Sequence, residues 1–263
     1  MKRMKRYLLV FILIPIISLS SRPIDDLLIA SKNGDVGKIE SILKKGNVDV
    51  NGFIKGSLPT EEEEAEVGFQ FTPLHWAVKN NHLEAVKVLI KAGANINAVA
   101  GYSKETPIFL SLSPKKREIF KFLINSLADL KKTNSNGESI LNLAVRERNL
   151  EAIKLLIDLK LDINHGGVGG ETPLHEASAD GYDEVVELII ANGAKLNIIT
   201  RKSSNLDKGG NTPLHYATMF GKISTVKILL KHGADKTLRN GDGNTALDIA
   251  KKKGYKDLVK ILE

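Results

Sequence analysis

The sequence predicts an all-α solenoid of about seven helix-turn-helix units with β-turn or hairpin fingers, preceded by a signal peptide. Three observations support this prediction. A short motif recurs at a nearly constant spacing, glycines fall at fixed offsets from it, and apolar residues between those glycines follow helical spacing. Units of this kind form a stacked array in which each unit contacts its neighbours.

Residues 1–20 have the layout of a secretory signal peptide. Four basic residues precede an apolar run from Tyr7 to Ile17, and small polar residues follow, so cleavage is expected after Ser20. The run is about half as long as the roughly 20 residues of a membrane-spanning helix. We therefore expect no stable membrane span after cleavage, with an uncleaved anchoring N-terminus as the alternative.

Charge and cysteine content exclude several classes of function. The formal net charge is +7, but four of these charges lie in residues 1–20, which leaves +3 on residues 21–263 and argues against nucleic-acid binding. The chain has no Cys. Lipid attachment at a cleavage-site Cys, disulfides, thiolate zinc sites and thiol nucleophiles are therefore excluded.

The motif TPLH marks the start of each unit. The equivalent Thr or Ser, called the cap residue below, recurs at spacings of 34, 33, 33, 40 and 33 residues. The cap residues are Thr72, Thr106, Ser139, Thr172, Thr212 and Thr245. Extending the pattern backwards places Asp25 at the start of an earlier unit. The predicted domain covers 21–263, with units at about 21–51, 67–100, 101–133, 134–166, 167–199, 207–239 and 240–263, and insertions at about 52–66 and 200–206.

Each unit is predicted to contain two short helices. The cap hydroxyl accepts a free backbone N–H, and Pro suits the first helical position because it has no N–H to leave unpaired. Glycines nine and twenty-one residues after the cap residue are expected to close the two helices with positive φ. They are Gly34, Gly181, Gly221 and Gly254 for the first helix, and Gly46, Gly93, Gly193 and Gly233 for the second.

Three segments show a family resemblance: TPLHWAVKNNHLEAVKVLIKAGANINA, TPLHEASADGYDEVVELIIANGAKLN and NTPLHYATMFGKISTVKILLKHGADKT. They look like ankyrin repeats, and the resemblance covers about residues 25–263. It implies an ankyrin-repeat protein that acts as a protein-binding module without a cofactor, and the predicted signal peptide, without a Cys for lipid attachment, adds that the protein is expected to be exported by a bacterium. The third unit departs from the pattern with TPIF and Lys115, and the fourth with SILNLA and Lys160, so irregular helix ends are expected there.

His75, His175 and His215 occupy the same place in three units. Metal ligands must converge on one ion at about 2.0–2.1 Å, whereas packed helices lie roughly 8–10 Å apart, so no metal site is expected. Nothing in the sequence supplies a nucleophile for these histidines to activate. The resemblance implies that each His bonds the cap Thr and backbone near the turn. Asn142 could do the same, but Phe109 could not, which predicts a weak junction at the third unit.

Three other segments allow two interpretations. The glycine-rich HGGVGGET, residues 165–172, is a turn between units rather than a phosphate loop, because the Lys of a phosphate loop is missing. The acidic run Glu61 to Glu66 is a solvated loop or a segment that attracts a basic partner. The lysines of the last unit, Lys251 to Lys253 among them, form a solvated end face or an anion contact.

Ankyrin-like stacks bind proteins through their finger tips and first helices. The predicted protein-binding residues are Phe69, Phe71, Trp76, Lys79, Tyr102, Arg146, Glu147, Tyr216, Met219 and Phe220. Glu105, Val168, Glu171, Lys208 and Asp180 are also expected on this face. Aromatic residues, Met and Arg are enriched in interface cores, although Trp76 and Tyr216 could instead pack against neighbouring units. Phe220 indicates an interface more strongly than the other aromatic residues do, because the family usually has a polar residue at this position.

The predicted function is non-enzymatic binding of a protein partner on the concave face, by a monomer in the periplasm or outside the cell. One alternative is an accessory protein that stabilises or protects a periplasmic enzyme, for example in oxidative-stress defence. Another is a secreted effector that binds a host protein. An enzymatic role would require a histidine whose loss abolishes an activity without loss of stability.

Overall fold

The computed structural model describes residues 22–53, 70–202 and 208–263. These residues form fourteen α-helices in seven consecutive pairs and no β-strand, as an all-α solenoid requires. The helices are α1 Pro23–Asn33, α2 Val36–Lys44, α3 Pro73–Lys79, α4 Leu83–Lys91, α5 Pro107–Leu110, α6 Arg117–Asn125, α7 Ile140–Arg146, α8 Leu150–Asp158, α9 Pro173–Asp180, α10 Asp183–Ala191, α11 Pro213–Met219, α12 Ile223–Lys231, α13 Ala246–Lys253 and α14 Lys256–Leu262. The predicted signal peptide, Phe69 and the run Glu61 to Glu66 lie outside the described residues.

The cap residues begin the first helix of each unit as predicted, with one correction in the first unit. Helices α3, α5, α9 and α11 each start at the Pro that follows a cap Thr. Helix α1 starts at Pro23 instead of Asp25, because Arg22 takes the N-cap position. The backbone N–H of Arg22 donates to Asp25 Oδ2 at 3.3 Å, so Asp25 lies inside the first turn.

The predicted glycines close the helices in the left-handed region. Gly181, for example, has a φ of 72° after α9, and Gly193 has a φ of 93° after α10. In the fourth unit Arg148 and Lys160 take the same conformation with φ values of 52° and 59°. Helices α7 and α8 also keep the lengths of α3 and α4, so the irregular helix ends expected of this unit do not occur, although non-glycine residues are strained in this conformation.

The third unit departs further from the pattern. Its first helix, α5, has four residues, whereas α3 and α7 have seven each. A short 3₁₀ turn, Pro114–Lys116, lies between α5 and α6. The ring of Pro114 disfavours a helical conformation at Ser113, so α5 cannot continue through it.

The helix pairs stack through one continuous apolar core. Fully buried members of this core come from both helices of each unit, for example Leu74, Leu89, Leu141, Ile153 and Val186. First helices of neighbouring units contact each other more extensively than second helices do, so the stack bends toward the first helices. The concave surface, called the inner face below, therefore carries the exposed side of the first helices and the residues just before each cap residue.

Fingers connect the units and are tied to one another by backbone hydrogen bonds. Ser135 donates to Ser103 at 3.0 Å, Val168 donates to Asn136 at 2.7 Å, and Gly241 donates to Gly209 at 2.9 Å. The segment HGGVGGET forms one of these fingers, with Gly170 donating to Gly167 at 2.9 Å, which confirms its prediction as a turn. The row of fingers is thus a connected ridge along one edge of the inner face.

Candidate functional site

Buried histidines tie the first helices of the second, fifth and sixth units to the unit that follows. In the second unit the Thr72 backbone N–H lies 3.2 Å from His75 Nδ1, and the Thr72 hydroxyl lies 2.8 Å from the same atom. His75 Nε2 donates to the carbonyl of Glu105 at 3.3 Å. His175 and His215 repeat these contacts, with Nε2 at 3.1 Å from the carbonyls of Asn211 and Asn244. The predicted structural role is confirmed.

The protonation state of these histidines follows from their contacts. Since Nδ1 accepts from the backbone of the cap residue, the neutral tautomer carries its proton on Nε2. Burial lowers the pKa of His75 and of His175 to about 4, and the carbonyls that accept from Nε2 offset this in part. Burial also lowers the pKa of His215. The three imidazoles are therefore neutral at physiological pH and serve as uncharged connectors.

Other units use different residues at the histidine position. Asn142 Oδ1 accepts from Ser139, and its Nδ2 donates to the carbonyl of Glu171 at 3.1 Å, which reproduces both contacts of a histidine. Phe109 can do neither, and the hydroxyl of Thr106 is buried without a hydrogen-bond partner. A buried unpaired hydroxyl costs about 1–3 kcal/mol. This supports the predicted weakness at the third unit.

Two of the predicted binding residues are not exposed on the inner face. Phe71 is 5% exposed and Trp76 is 7% exposed, because they pack with Leu28 and Ala100 in a small second core. Their rings meet edge to face at a centroid distance of 5.3 Å. Lys79, half-buried, covers both rings with its Nζ 5.1 Å from the centroid of Trp76. The expected exposure of Phe71 and Trp76 is wrong, since neighbouring units fill the space around them.

Carboxylates dominate the middle of the inner face. Glu105, Glu138 and Glu171 each stand just before a cap residue in three consecutive units. Arg146 donates to Glu138 and, at 2.7 Å, to Glu176 of the next unit. Burial disfavours the charge of Glu138, but hydrogen bonds from Arg146 and Asn134 outweigh it and lower the pKa of this carboxyl. The guanidinium of Arg146 therefore already has two carboxylate partners within the chain.

A pocket of about 280 Å³ opens between the third and fourth units. It lies beside the missing part of α5, and Glu147, one of the predicted binding residues, is at its edge. Its lining combines apolar and charged side chains: Glu105, Phe109, Leu110, Leu112, Ser113, Lys116, Leu143 and Glu147. The pocket therefore offers both an apolar wall and two carboxylates.

A patch of larger side chains lies on the sixth unit. Tyr216 is half-buried, with its ring edge-on to His175 at 5.5 Å and its hydroxyl 3.4 Å from Glu171 Oε1. Phe220 is 53% exposed and lies 6.4 Å from the Tyr216 ring. Half-buried Met219 lies between them in the sequence at the end of α11. A groove of about 490 Å³ begins at Phe220 and continues along Ile223, Tyr255 and Leu258.

The finger ridge exposes further apolar side chains. Tyr102 is 90% exposed and Val168 is 67% exposed, as expected for finger tips. Val99 and Ile199, which the sequence interpretation missed, are 50% and 55% exposed at neighbouring fingers. Glu138 was missed as well, although its place before Ser139 matches that of Glu105 before Thr106 and would have revealed it.

Within residues 22–53, 70–202 and 208–263, no cluster of three or more His, Asp or Glu side chains is arranged to hold a metal ion. No helix among them is long and apolar enough to cross a membrane.

A stack of short helix pairs, with a finger ridge and a concave face of mixed charge and aromatic character, defines a helical-repeat binding scaffold. Family models agree with this class. A model for three copies of ankyrin repeats matches residues 108–200 and 198–263, and a single-repeat model matches residues 69–100. The chain belongs to the ankyrin-repeat family. Proteins of this family mediate protein–protein interaction, and their repeat fold is typically a non-catalytic module.

Curated relatives are similar over part of the chain. Human ankyrin repeat and SOCS box protein 16 is 30% identical over 48% of this chain and 30% of its own length. A putative ankyrin repeat protein of Borreliella burgdorferi is 33% identical over 42% of this chain and 51% of its own length. The matches to the first curated relatives span less than a third of those proteins.

Solved structures match nearly the whole chain. The ankyrin repeat domain of Bcl-3 superimposes with a TM-score of 0.69 at 25% identity, covering 92% of this chain and 99% of that domain. The ankyrin repeat domain of human ASB11 gives a TM-score of 0.69 at 23% identity, covering 90% of this chain and 97% of that domain. These likenesses agree with the solenoid architecture of the described residues.

Proposed function

We propose that this protein binds a partner protein through its inner face, with Tyr216, Met219 and Phe220 at the centre of the contact. The observation that carries this proposal is the exposure of Phe220 beside a groove that other apolar side chains continue. A large aromatic side chain gains from leaving water, and Tyr, Phe and Met are enriched where interfaces are most buried. A partner side chain entering this groove would cover Phe220.

Preorganisation of the inner face supports this proposal. The finger backbones are bonded to each other, and His75, His175 and His215 fix the first helices of their units to the following unit. Binding to such a surface requires little ordering of this chain, and ordering is one of the main costs of association. Complementarity to a preformed surface is therefore the proposed mechanism.

The location that we propose is the bacterial envelope or the space outside the cell. The basic and apolar pattern of residues 1–20 supports export, and similarity to putative ankyrin repeat proteins of Borreliella burgdorferi and Rickettsia felis supports a bacterial setting. Mass spectrometry of the N-terminus, together with fractionation of the source cell, tests this proposal. A mature chain beginning at Ser21 outside the cytoplasm would support it, and an intact chain in the cytoplasm would contradict it.

Affinity capture with matched variants tests the binding face. The double variant Met219→Ser, Phe220→Ser removes the exposed patch, and Leu127→Ser serves as the control, because Leu127 is 85% exposed after the second helix of its unit, away from the inner face. The double variant should lose the partner, while melting within a few degrees of the parent chain. Capture that is equal for the double variant, the control and the parent chain would contradict the proposal.

The captured protein also distinguishes the possible roles. One envelope enzyme recovered in stoichiometric amount would assign an accessory function that stabilises or protects that enzyme. A host protein recovered from infected cells would assign the function of a secreted effector. In both cases crosslinks should map to the first helices, the fingers and the residues of the groove beside Phe220, such as Ile223 and Leu258.

A further inference from the structure

The pocket between the third and fourth units has a specific structural cause. Helix α5 ends at Leu110, and the turn that other first helices add at this point is missing. Phe109 occupies the histidine position and forms part of the apolar wall, together with Leu110 and Leu143. The space exists because this unit departs from the repeat, so it is particular to this chain's third unit.

Charged groups in the pocket are incompletely balanced. Glu105 is half-buried, and within the described residues its carboxylate takes part in no hydrogen bond or ion pair. Burial raises the pKa of Glu105 above its ordinary value. The exposed Glu147 carboxylate faces the same space. A cation placed between them would compensate a charge that water reaches poorly.

Lys116, the cation already lining this pocket, is engaged elsewhere. Its Nζ donates to the carbonyl of Leu110 at 2.7 Å and so satisfies a free acceptor at the end of α5. Burial lowers the pKa of Lys116, while Glu147 raises it. The ammonium thus holds the broken helix end in place and partly balances Glu147, with Lys79 as a second cation nearby, whereas the carboxylate of Glu105 takes part in no hydrogen bond or ion pair within the described residues.

We propose that this pocket receives an arginine side chain from an extended, basic segment of the partner protein. The guanidinium would bridge Glu105 and Glu147, and its methylene stem would lie along Phe109 and Leu143. Arginine fits better than lysine because its planar group offers several donors, is weakly hydrated and stacks on aromatic rings. Beyond the pocket, the half-buried Glu171 lies just before the next cap residue on the inner face and favours a further basic residue of that segment.

This inference rests on the proposed function and deepens it, but a partner-free experiment can test the pocket itself. N-acetylarginine amide is titrated into the purified protein at low ionic strength, with chemical shifts of the backbone amides as the measurement. N-acetylcitrulline amide, which has nearly the same shape without the charge, is the ligand control. N-acetyllysine amide tests the preference for arginine.

The expected result is a saturable shift of the amides of Glu105, Phe109 and Glu147 with the arginine amide, and weaker shifts with the lysine amide. The variant Glu105→Gln, Glu147→Gln should abolish the response, whereas Glu118→Gln, an exposed carboxylate of α6 in the same unit, should retain it. Equal responses to arginine and citrulline, an unchanged response in the double Gln variant, or equal responses to arginine and lysine would overturn the proposal.

A second measurement separates this inference from the proposed function. Once a partner is captured, the double Gln variant should bind it about tenfold more weakly, as expected for loss of a charge-assisted hydrogen bond. Arginine-amide binding without any partner contact on the inner face would leave the pocket valid and refute the proposed function. If the double Gln variant and the parent chain bind the partner on the inner face with equal affinity, the arginine pocket is refuted and the proposed function stands.

Discussion

At the scale of single residues, the position three places after each cap residue determines how a unit is joined to the next. His75, His175 and Asn142 accept from the cap residue and donate to the following finger. The last unit has Asp248, which accepts from Thr245 at 2.9 Å and has no donor atom to offer.

A substitution at His215 tests this role. His215→Ala should lower the free energy of unfolding by about 1–3 kcal/mol, because the N–H of Thr212 and the carbonyl of Asn244 lose a buried partner. His215→Asn should cost less, since Asn142 makes both contacts in the fourth unit. Urea denaturation at pH 7 measures both changes, and an unchanged stability of His215→Ala would rule out the proposed connection.

Acid should destabilise the fold through the same histidines. Because the folded-state pKa of His75 and of His175 is about 4, below the ordinary 6.5, the unfolded chain takes up protons first as the pH falls. Their stabilisation is complete above pH 6.5 and is lost as the pH falls toward 4, at up to about 3 kcal/mol for each histidine. Urea denaturation at several pH values across this window measures the loss.

The double variant His75→Asn, His175→Asn is the matched control for the acid prediction. It retains the buried contacts in the form that Asn142 uses, but it has no imidazole to protonate. Its free energy of unfolding should depend less on pH between 6.5 and 4 than that of the parent chain. The same pH dependence in both proteins would mean that carboxylates, and not these histidines, cause the acid sensitivity.

At the scale of elements, α5 is the weakest first helix of the array. It has four residues, it is followed by a 3₁₀ turn, and the Thr106 hydroxyl at its start is buried without a partner. Each departure follows from a local change in sequence, namely Phe109 in place of His and Pro114 in place of a helical residue. The same departures create the pocket beside Glu105, so loss of helix and gain of a site have one cause.

Hydrogen exchange should reveal this weakness. Backbone amides of α5 are expected to exchange faster than those of α3 and α9, because fewer hydrogen bonds must break for α5 to open locally. Mass spectrometry of exchanged peptides covering 106–116, 72–82 and 172–182 gives the comparison. Equal protection of the three peptides would mean that apolar packing of Phe109 and Leu112 compensates fully for the shortened helix.

At the scale of the whole molecule, stability depends on contacts between neighbouring units. The core is continuous from the first unit to the last, where Leu258 and Leu262 are buried against it. Lys251, Lys252 and Lys253 of α13 are exposed, and the helices of this unit pack against α11 and α12.

Removal of the last unit tests this dependence. A chain ending at residue 239 exposes the side of α11 and α12 that α13 and α14 cover, and it leaves His215 without its acceptor at Asn244. It should melt about 10 °C lower or more, since loss of several buried apolar side chains costs several kcal/mol. Scanning calorimetry gives the comparison with the parent chain.

The matched control keeps the apolar contacts of the last unit and changes its exposed side chains. The triple variant Lys251→Ser, Lys252→Ser, Lys253→Ser retains the packing of Ile249 and Leu258 and should melt within a few degrees of the parent chain. A large loss of stability in the triple variant would show that the lysines contribute more than a solvated end face.

The sequence by itself determined the architecture of this protein. The features that fix the architecture are the 33-residue period, the cap Thr, the closing Gly and the histidine that connects units. They act through contacts within one unit or with the next unit along the chain, so they can be recognised from the repeated sequence pattern. In contrast, the tertiary structure decided which side chains are exposed on the inner face. Trp76 is buried because Leu28, Phe71 and Ala100 meet around it, whereas Phe220 at the end of α11 remains exposed. The pocket at Glu105 likewise could be recognised only in the tertiary structure. Residues of two units line it, and it occupies the space that the missing turn of α5 leaves.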